Sequence, residues 1–375
     1  MNKIRIYEVH VQTYEVKKLT KIVSLNHLEA MQEGGKLIDH GLYGCVFTSS
    51  LHCKNKTPKE HPEDKEHPPI SKLIRTEYAN VEFKISSLIR QIPLWKNYFA
   101  VSESICEPAK EQTDKDLANC PVLKENPLTE FKILSMTYHG VPIDSFRVNF
   151  KTLDPIKFFS HLLEAGALLN LFGVVHRDLH QGNILVDQHN VPRIIDFNLS
   201  VFAKEDVTED DLSHQHTVHV GQEPPDATIV NAITHGHDGT RVIESILTKK
   251  DILKKIQTLL GVSSQQMKTS LYRFYQQSKS VKDGDSAAWF KSYWTKYDSW
   301  GIGINIVFQI MKWSISTAFS IESHKAKLYP ILRKMCAVSP LERIDCVQAL
   351  HQWNPNHFII QRYGKEWLKK VGTGM

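Results

Sequence analysis

Apolar and polar positions alternate over residues 4–16, I-R-I-Y-E-V-H-V-Q-T-Y-E-V, with the two-residue period of one or two strands. Ser24 to Met31 reads as a short helix capped by Ser24. Two further strands are expected on either side of the glycines in K-L-I-D-H-G-L-Y-G-C-V-F, and another over Pro69-Ile-Ser-Lys-Leu-Ile. Residues 49–69 between them carry Lys, Glu, His and Pro with almost no apolar side chains, as a solvated insertion does. The period then changes to that of a helix, with Val81, Ile85, Leu88 and Ile92 forming its stripe. A polar connection over 105–127 precedes a buried strand beginning at Phe131, and Asp154 to Phe172 is helical, with Ile156, Phe159, Leu163 and Leu168 inward. Ile184-Leu185-Val186 and the run into Asp196 read as two strands joined by a turn at Gln188, His189 and Asn190. Everything later has helical spacing: Asp251 to Leu260, the set Met267, Leu271, Phe274 and Tyr275, and the aromatic set Trp289, Tyr293, Trp294 and Tyr297, which reads as helix core. Strands early and helices late predict an α+β chain with a small β-rich lobe and a large helical lobe.

Composition adds limits. With 375 residues, 41% hydrophobic and 23% charged, the chain is long enough for two cores. Lys plus Arg exceeds Asp plus Glu by 46 − 41 = 5, without a long single-sign block, so neither nucleic acid nor a membrane is expected as partner. No signal-peptide core or membrane-length apolar run is present. The six cysteines (45, 53, 106, 120, 336 and 346) lack close pairs, which speaks against a zinc ribbon or disulfide framework and for a reducing compartment. His52, Cys53, His61 and His67 match no common metal-ligand spacing.

The candidate chemistry lies in V-V-H-R-D-L-H-Q-G-N-I-L-V-D-Q-H-N-V-P-R-I-I-D, residues 174–196. Folding the two strands into a hairpin brings Asp178, Asn183 and Asp196 to one mouth. An acid, an amide oxygen and a second acid suit a site that holds Mg²⁺ against phosphates and orients a hydroxyl.

That string resembles the catalytic loop and the D-F-G motif of eukaryotic-type protein kinases, serine/threonine kinase-like. Further matches follow in order: Gly41, Gly44 and Val46 of a glycine-rich loop, Lys72 of the V-A-I-K strand, Pro224-Pro225-Asp226, Asp298-Ser-Trp300-Gly-Ile-Gly303, and Pro340 to Arg343. The resemblance implies a bilobal kinase-like fold with ATP and Mg²⁺ as cofactors and protein substrates as partners. It implies Asp178 as base, Asn183 and Asp196 as metal ligands, and Arg177 as the group that answers an activation-loop phosphate on Thr208, Ser213 or Thr217. Lys72 is implied to hold the phosphates, with Glu82 or, failing it, Glu77 as its carboxylate partner. Ile38, Asp39, Gly41, Gly44, Val46, Met136, Thr137, Tyr138 and His139 would enclose the nucleotide, and Asp144 would approach its ribose. Asp226 would pair with Arg343.

The implied organisation is an extension over 1–37, a small lobe over 38–139 carrying the polar insertion 49–69, a large lobe over 140–356 with a helical insertion over about 228–296, and a tail over 357–375. That helical insertion resembles those in protein kinases of large cytoplasmic DNA viruses, which implies a cytoplasmic location, in a host cytoplasm or virion. Departures from the family pattern are Asp39 at the first glycine position, His180 in place of a lysine, and Asn198 in place of the D-F-G glycine, where asparagine, which tolerates positive φ better than most non-glycine residues, is expected to keep the left-handed turn. Two rivals remain open: a small-molecule kinase of the aminoglycoside or choline type, and a pseudokinase scaffold. Oligomeric state is not legible.

Overall fold

The structure, a computed structural model, describes residues 37–41, 43–48, 51–54, 69–110, 112, 117, 119–212 and 218–374. The elements expected over 4–16 and 24–31, most of the insertion 49–69, and Ser213 and Thr217 lie outside those residues. Within them the chain is mixed α+β: a small antiparallel sheet followed by a larger helical part, as expected and compatible with a bilobal kinase-like fold.

The sheet consists of β1 (Leu37–His40), β2 (Gly44–Thr48), β3 (Pro69–Arg75), β4 (Ser104–Cys106) and β5 (Phe131–Thr137), in the order β1-β2-β3-β5-β4. Strand β3 is covered on both faces, because successive side chains alternate sides. Leu73 joins Cys45, Phe47, Phe131 and Ile133 in one cluster. Ile74 joins Leu134 and Ala79 in another, against helix α1 (Thr76–Ile89). Lys72 shares the Ile74 side and is therefore directed to the face that α1 covers. Gly44 is required here: a Cβ would lie 2.2 Å from the Leu73 carbonyl oxygen.

Helix α1 buries Ala79, Glu82, Ile85, Ser86 and Ile89, whereas Val81 is 39% exposed and Ile92 lies beyond the helix end. The expected stripe is thus rotated, because the inward face includes a carboxylate that apolar periodicity does not count.

The cysteine expectation is corrected. Cys45 is bonded to Cys120 and Cys53 to Cys106, across 75 and 53 positions, while Cys336 and Cys346 are free and buried. Cys120 meets Cys45 because the turn Pro121–Lys124 packs against β2, and Cys106, on β4, meets Cys53 because 107–109 run beside 52–54, long-range contacts that local spacing does not report. Disulfides of this kind persist in oxidising surroundings, so cysteine usage no longer argues for a reducing compartment.

In the large lobe, α2 (Pro155–Phe172) is capped by Asp154, which accepts from the Ile156 and Lys157 amides, and closes at Gly173 with φ 81°. Its buried side chains, among them Phe159, Leu163 and Leu168, share one core with the helices that follow. These are α3 (Glu209–Leu212), α4 (Pro225–Thr234), α5 (Gly239–Lys249), α6 (Ile252–Leu260), α7 (Ser264–Gln277), α8 (Ser286–Tyr293), α9 (Tyr297–Trp313), α10 (Glu322–Met335) and α11 (Cys346–Trp353). Ile243, Leu253, Leu271, Phe274 and Trp289 from the region 228–296 belong to that same core rather than to one of their own. Among the described residues no helix is long and apolar enough to cross a membrane.

Candidate active site

Four short strands carry the loop that starts at His176. β6 (Val174–Val175) pairs with β9 (Val201–Phe202), and β7 (Ile184–Val186) pairs with β8 (Pro192–Ile194), Ile184 opposite Ile194. The hairpin turn is stabilised by Asp187, whose Oδ1 accepts from the His189 and Val191 amides and whose Oδ2 accepts from Arg193 at 2.7 Å. Past the hairpin, the Ile195 amide donates to the Asn183 carbonyl at 3.0 Å, setting Asp196 beside the loop.

Buried groups beneath hold the loop itself. Asp298, at the start of α9, accepts from the His176 amide at 2.7 Å and the Arg177 amide at 3.1 Å, and His176 Nε2 lies 2.8 Å from the Ile195 carbonyl. Asn305 donates to the Leu179 carbonyl at 2.9 Å, and Gly301 leaves no room for a Cβ, which would stand 2.6 Å from that of Leu179. Helix α9 is therefore the rigid support on which the loop lies.

Asn183 Nδ2 donates to the Asp178 carbonyl at 2.9 Å and to Asp178 Oδ2 at 3.3 Å, which reserves its amide oxygen for another partner. His180 Nδ1 accepts from the Gly182 amide at 3.0 Å, and its Nε2 stands 3.7 Å from Asp178 Oδ2. Gln222, which no sequence signal marked, donates from Nε2 to Asp178 Oδ1 at 2.9 Å.

Lys72 joins the two lobes. Its ammonium lies 2.8 Å from Glu82 Oε2 and 2.8 Å from Asp196 Oδ1, a residue 124 positions away. Glu77, the other candidate partner, is exposed. Burial works to lower the Lys72 pKa, but Asp196 and Glu82 outweigh it and raise it. Burial raises that of Glu82 despite Lys72. For Asp196 the opposite holds: burial pushes upward and Lys72 pulls the carboxyl below its ordinary value, so it is ionised at neutral pH.

The residues expected around a nucleotide divide into two groups. Val46, Lys72, Leu134 and Met136 share one sheet face, since Val46 stands opposite Lys72, Lys72 opposite Leu134 and Ile70 opposite Met136. Thr137 ends β5, and Tyr138 and His139 follow it, each half-buried. At the other end, Ile38 is 43% exposed, Asp39 is exposed and turned to the His40 amide, and a Cβ at Gly41 would meet nothing within 4 Å. Asp144 is exposed, and its carbonyl accepts from Lys312 at 2.8 Å.

One local expectation changes, and one expected side chain is already engaged. The left-handed turn expected at Asn198 falls instead on Asp196, with φ 64°, so replacing the glycine by Asn198 costs no backbone strain. Arg177, also left-handed at φ 70°, already donates to the carbonyls of Leu199 at 3.2 Å, Asp211 at 2.6 Å and Leu212 at 3.0 Å. Backbone oxygens thus already engage this guanidinium. Thr208 and Asp211 meanwhile cap α3 reciprocally, the Thr208 amide donating to Asp211 Oδ2 at 2.9 Å and its hydroxyl at 2.7 Å.

Metal binding finds a suitable donor set: an ionised Asp196 carboxylate and an Asn183 amide oxygen are the hard oxygen ligands that Mg²⁺ prefers.

No family model matches the chain. Protein-tyrosine kinase 6 of Mus musculus is 34% identical to it over 85 residues, which make up 23% of this chain. The match covers 17% of that protein's length, and it lends no support to a viral origin.

Proposed function

We propose that the chain is a protein kinase that transfers the γ-phosphoryl group of ATP to hydroxyl side chains of proteins, with serine and threonine as acceptors. The observation that carries this reading is the bridge from Lys72 to both Glu82 and Asp196, because it ties the sheet to the loop that bears Asp178 and Asn183. A lysine held by a buried carboxylate is a fixed cation for phosphate oxygens. Asp178, with a carboxylate side chain still 23% exposed, stands where an incoming hydroxyl meets it and accepts its proton. Asn183 and Asp196 would hold Mg²⁺, which would neutralise phosphate charge. The left-handed backbone at Asp196 and Arg177 costs of order 1–3 kcal/mol at each residue, strain of a kind that collects at functional sites.

Partial likeness to a tyrosine kinase favours tyrosine as the acceptor in a second reading. The pseudokinase reading has to account for all four polar groups being oriented together. Purified protein with labelled ATP, Mg²⁺ and generic protein substrates tests the proposal. Transfer should occur, and Asp178→Asn or Asp196→Asn should each remove nearly all of it while the fold survives. Activity within a few-fold of wild type in either variant would sink the assignment. Phosphoamino-acid analysis identifies the acceptor, and label found only on small alcohols would favour the small-molecule kinase.

A further inference from the structure

The segment Val220–Glu223 is anchored through three of its residues. Lys250, which follows α5, donates to the Val220 carbonyl at 2.5 Å; Trp300 in α9 donates to the Gly221 carbonyl at 2.9 Å; and Asn231 in α4 donates to Glu223 Oε1 at 2.7 Å. The anchors are themselves buried, Lys250 at 1% exposure and Trp300 at 0%. The fourth residue, Gln222, is the one whose side chain reaches Asp178.

Asp178 needs such a contact. A carboxylate rotates in a broad, roughly two-fold well about its last torsion, so nothing intrinsic sets its plane. Its Oδ2 accepts only a long bond from Asn183, at 3.3 Å, and faces His180 at 3.7 Å. The 2.9 Å contact from Gln222 to Oδ1 is the shortest of the three to the carboxylate. Its donor is a neutral amide. It can fix the plane without bringing a full positive charge, which a lysine would add at the expense of basicity.

We infer that Gln222 is the positioning residue of the Asp178 carboxylate, held for that task by the helices that follow it. The inference rests on the reading of Asp178 as the general base. A purely structural Gln222 would serve by its shape, whereas a positioning Gln222 serves by its N–H donor. Gln222→Glu separates the two, since it keeps the shape, removes the donor and sets like charges together.

The test uses the full chain with labelled ATP, Mg²⁺ and a generic protein substrate. Gln222→Ala should lower kcat by about 10- to 100-fold, with KM for ATP and the melting temperature near wild type. Gln222→Glu should lose at least as much. Should the alanine variant fail to fold, Gln222→Met, which keeps the length and lacks the donor, reads the same loss. Wild-type kcat in Gln222→Glu, while Asp178→Asn abolishes transfer, would overturn the role of Gln222 and leave the base in place. Transfer persisting in Asp178→Asn would overturn both.

Discussion

Arg343 and Asp226 meet across 117 positions of sequence with both side chains 1% exposed, Arg343 Nη2 donating to Asp226 Oδ1 at 2.6 Å. The guanidinium also donates to the Ala337 carbonyl at 2.8 Å and the Val338 carbonyl at 3.2 Å, and lies 5.4 Å from the centroid of the Trp300 ring. Removing one partner strands the other charge in the core. Arg343→Ala should therefore cost about 3–5 kcal/mol, read by denaturant unfolding. An unchanged unfolding curve would show that the pair contributes nothing.

Lys72 provides a comparison between two glutamates on one helix. Glu82 is 3% exposed and 2.8 Å from the ammonium, whereas Glu77 is exposed. Lys72→Met should lose most of the transfer rate, Glu82→Gln a large part of it, and Glu77→Gln almost none. Steady-state kinetics at saturating ATP decides, and equal losses in the two glutamine variants would refute the pairing.

The buried Lys250 predicts a pH dependence. Burial lowers its pKa from 10.5 to about 8, against the pull of Glu223 and Asp226. Between those values the unfolded chain holds the proton and the folded chain does not, so stability rises with pH across that window. The rise is on the order of 3 kcal/mol, since each pKa unit is worth about 1.4 kcal/mol. Lys250→Met should flatten the increase in melting temperature between pH 7 and pH 10. Parallel curves for the two proteins would rule the lysine out.

Two disulfides staple the small lobe, and Cys45 and Cys120 lie in the same cluster as Phe47, Leu73, Phe131 and Ile133. On the chain-entropy account, loops of this length contribute about 4 kcal/mol each. Peptide mapping without reductant should recover the cross-links 45–120 and 53–106, and reduction should lower the melting temperature. Cys336 and Cys346 should react with alkylating reagents only on unfolding, because both are buried. Free thiols at Cys45 or Cys53 in the native protein would contradict the structure.

Charge added at Thr208 is expected to inhibit. Its hydroxyl lies 2.7 Å from Asp211 Oδ2, and Arg177 is already engaged with backbone oxygens, so a negative group there meets a carboxylate first. Thr208→Glu should lower the transfer rate. A clear activation would show that Arg177 exchanges its carbonyl partners for the new charge.

Where contacts are local, the chain declares them. Asp178 and Asn183 are five positions apart, and the hairpin that carries Asn183 toward Asp196 is written in two short apolar runs around a polar turn. The α+β division was legible for the same reason, as the strand periods all fall before the long run of helical periods that closes the sequence. Asp196 was legible from the hairpin that precedes it, whereas Lys72 and Arg343 were raised by the resemblance of their motifs to those of protein kinases.

Which groups meet was a different matter. The phase of α1 against β3 selected Glu82 over Glu77, and the packing of Pro121–Lys124 against β2 joined Cys45 to Cys120, which spacing left apart. Packing also put the left-handed residue at Asp196 rather than Asn198, set Arg177 against backbone carbonyls, and brought Gln222 onto Asp178. Period and short spacing record what neighbouring residues can do, because one turn or one strand fixes their geometry. Pairings across 44 to 124 positions depend on how separate elements stack, and only the packed chain supplies that geometry.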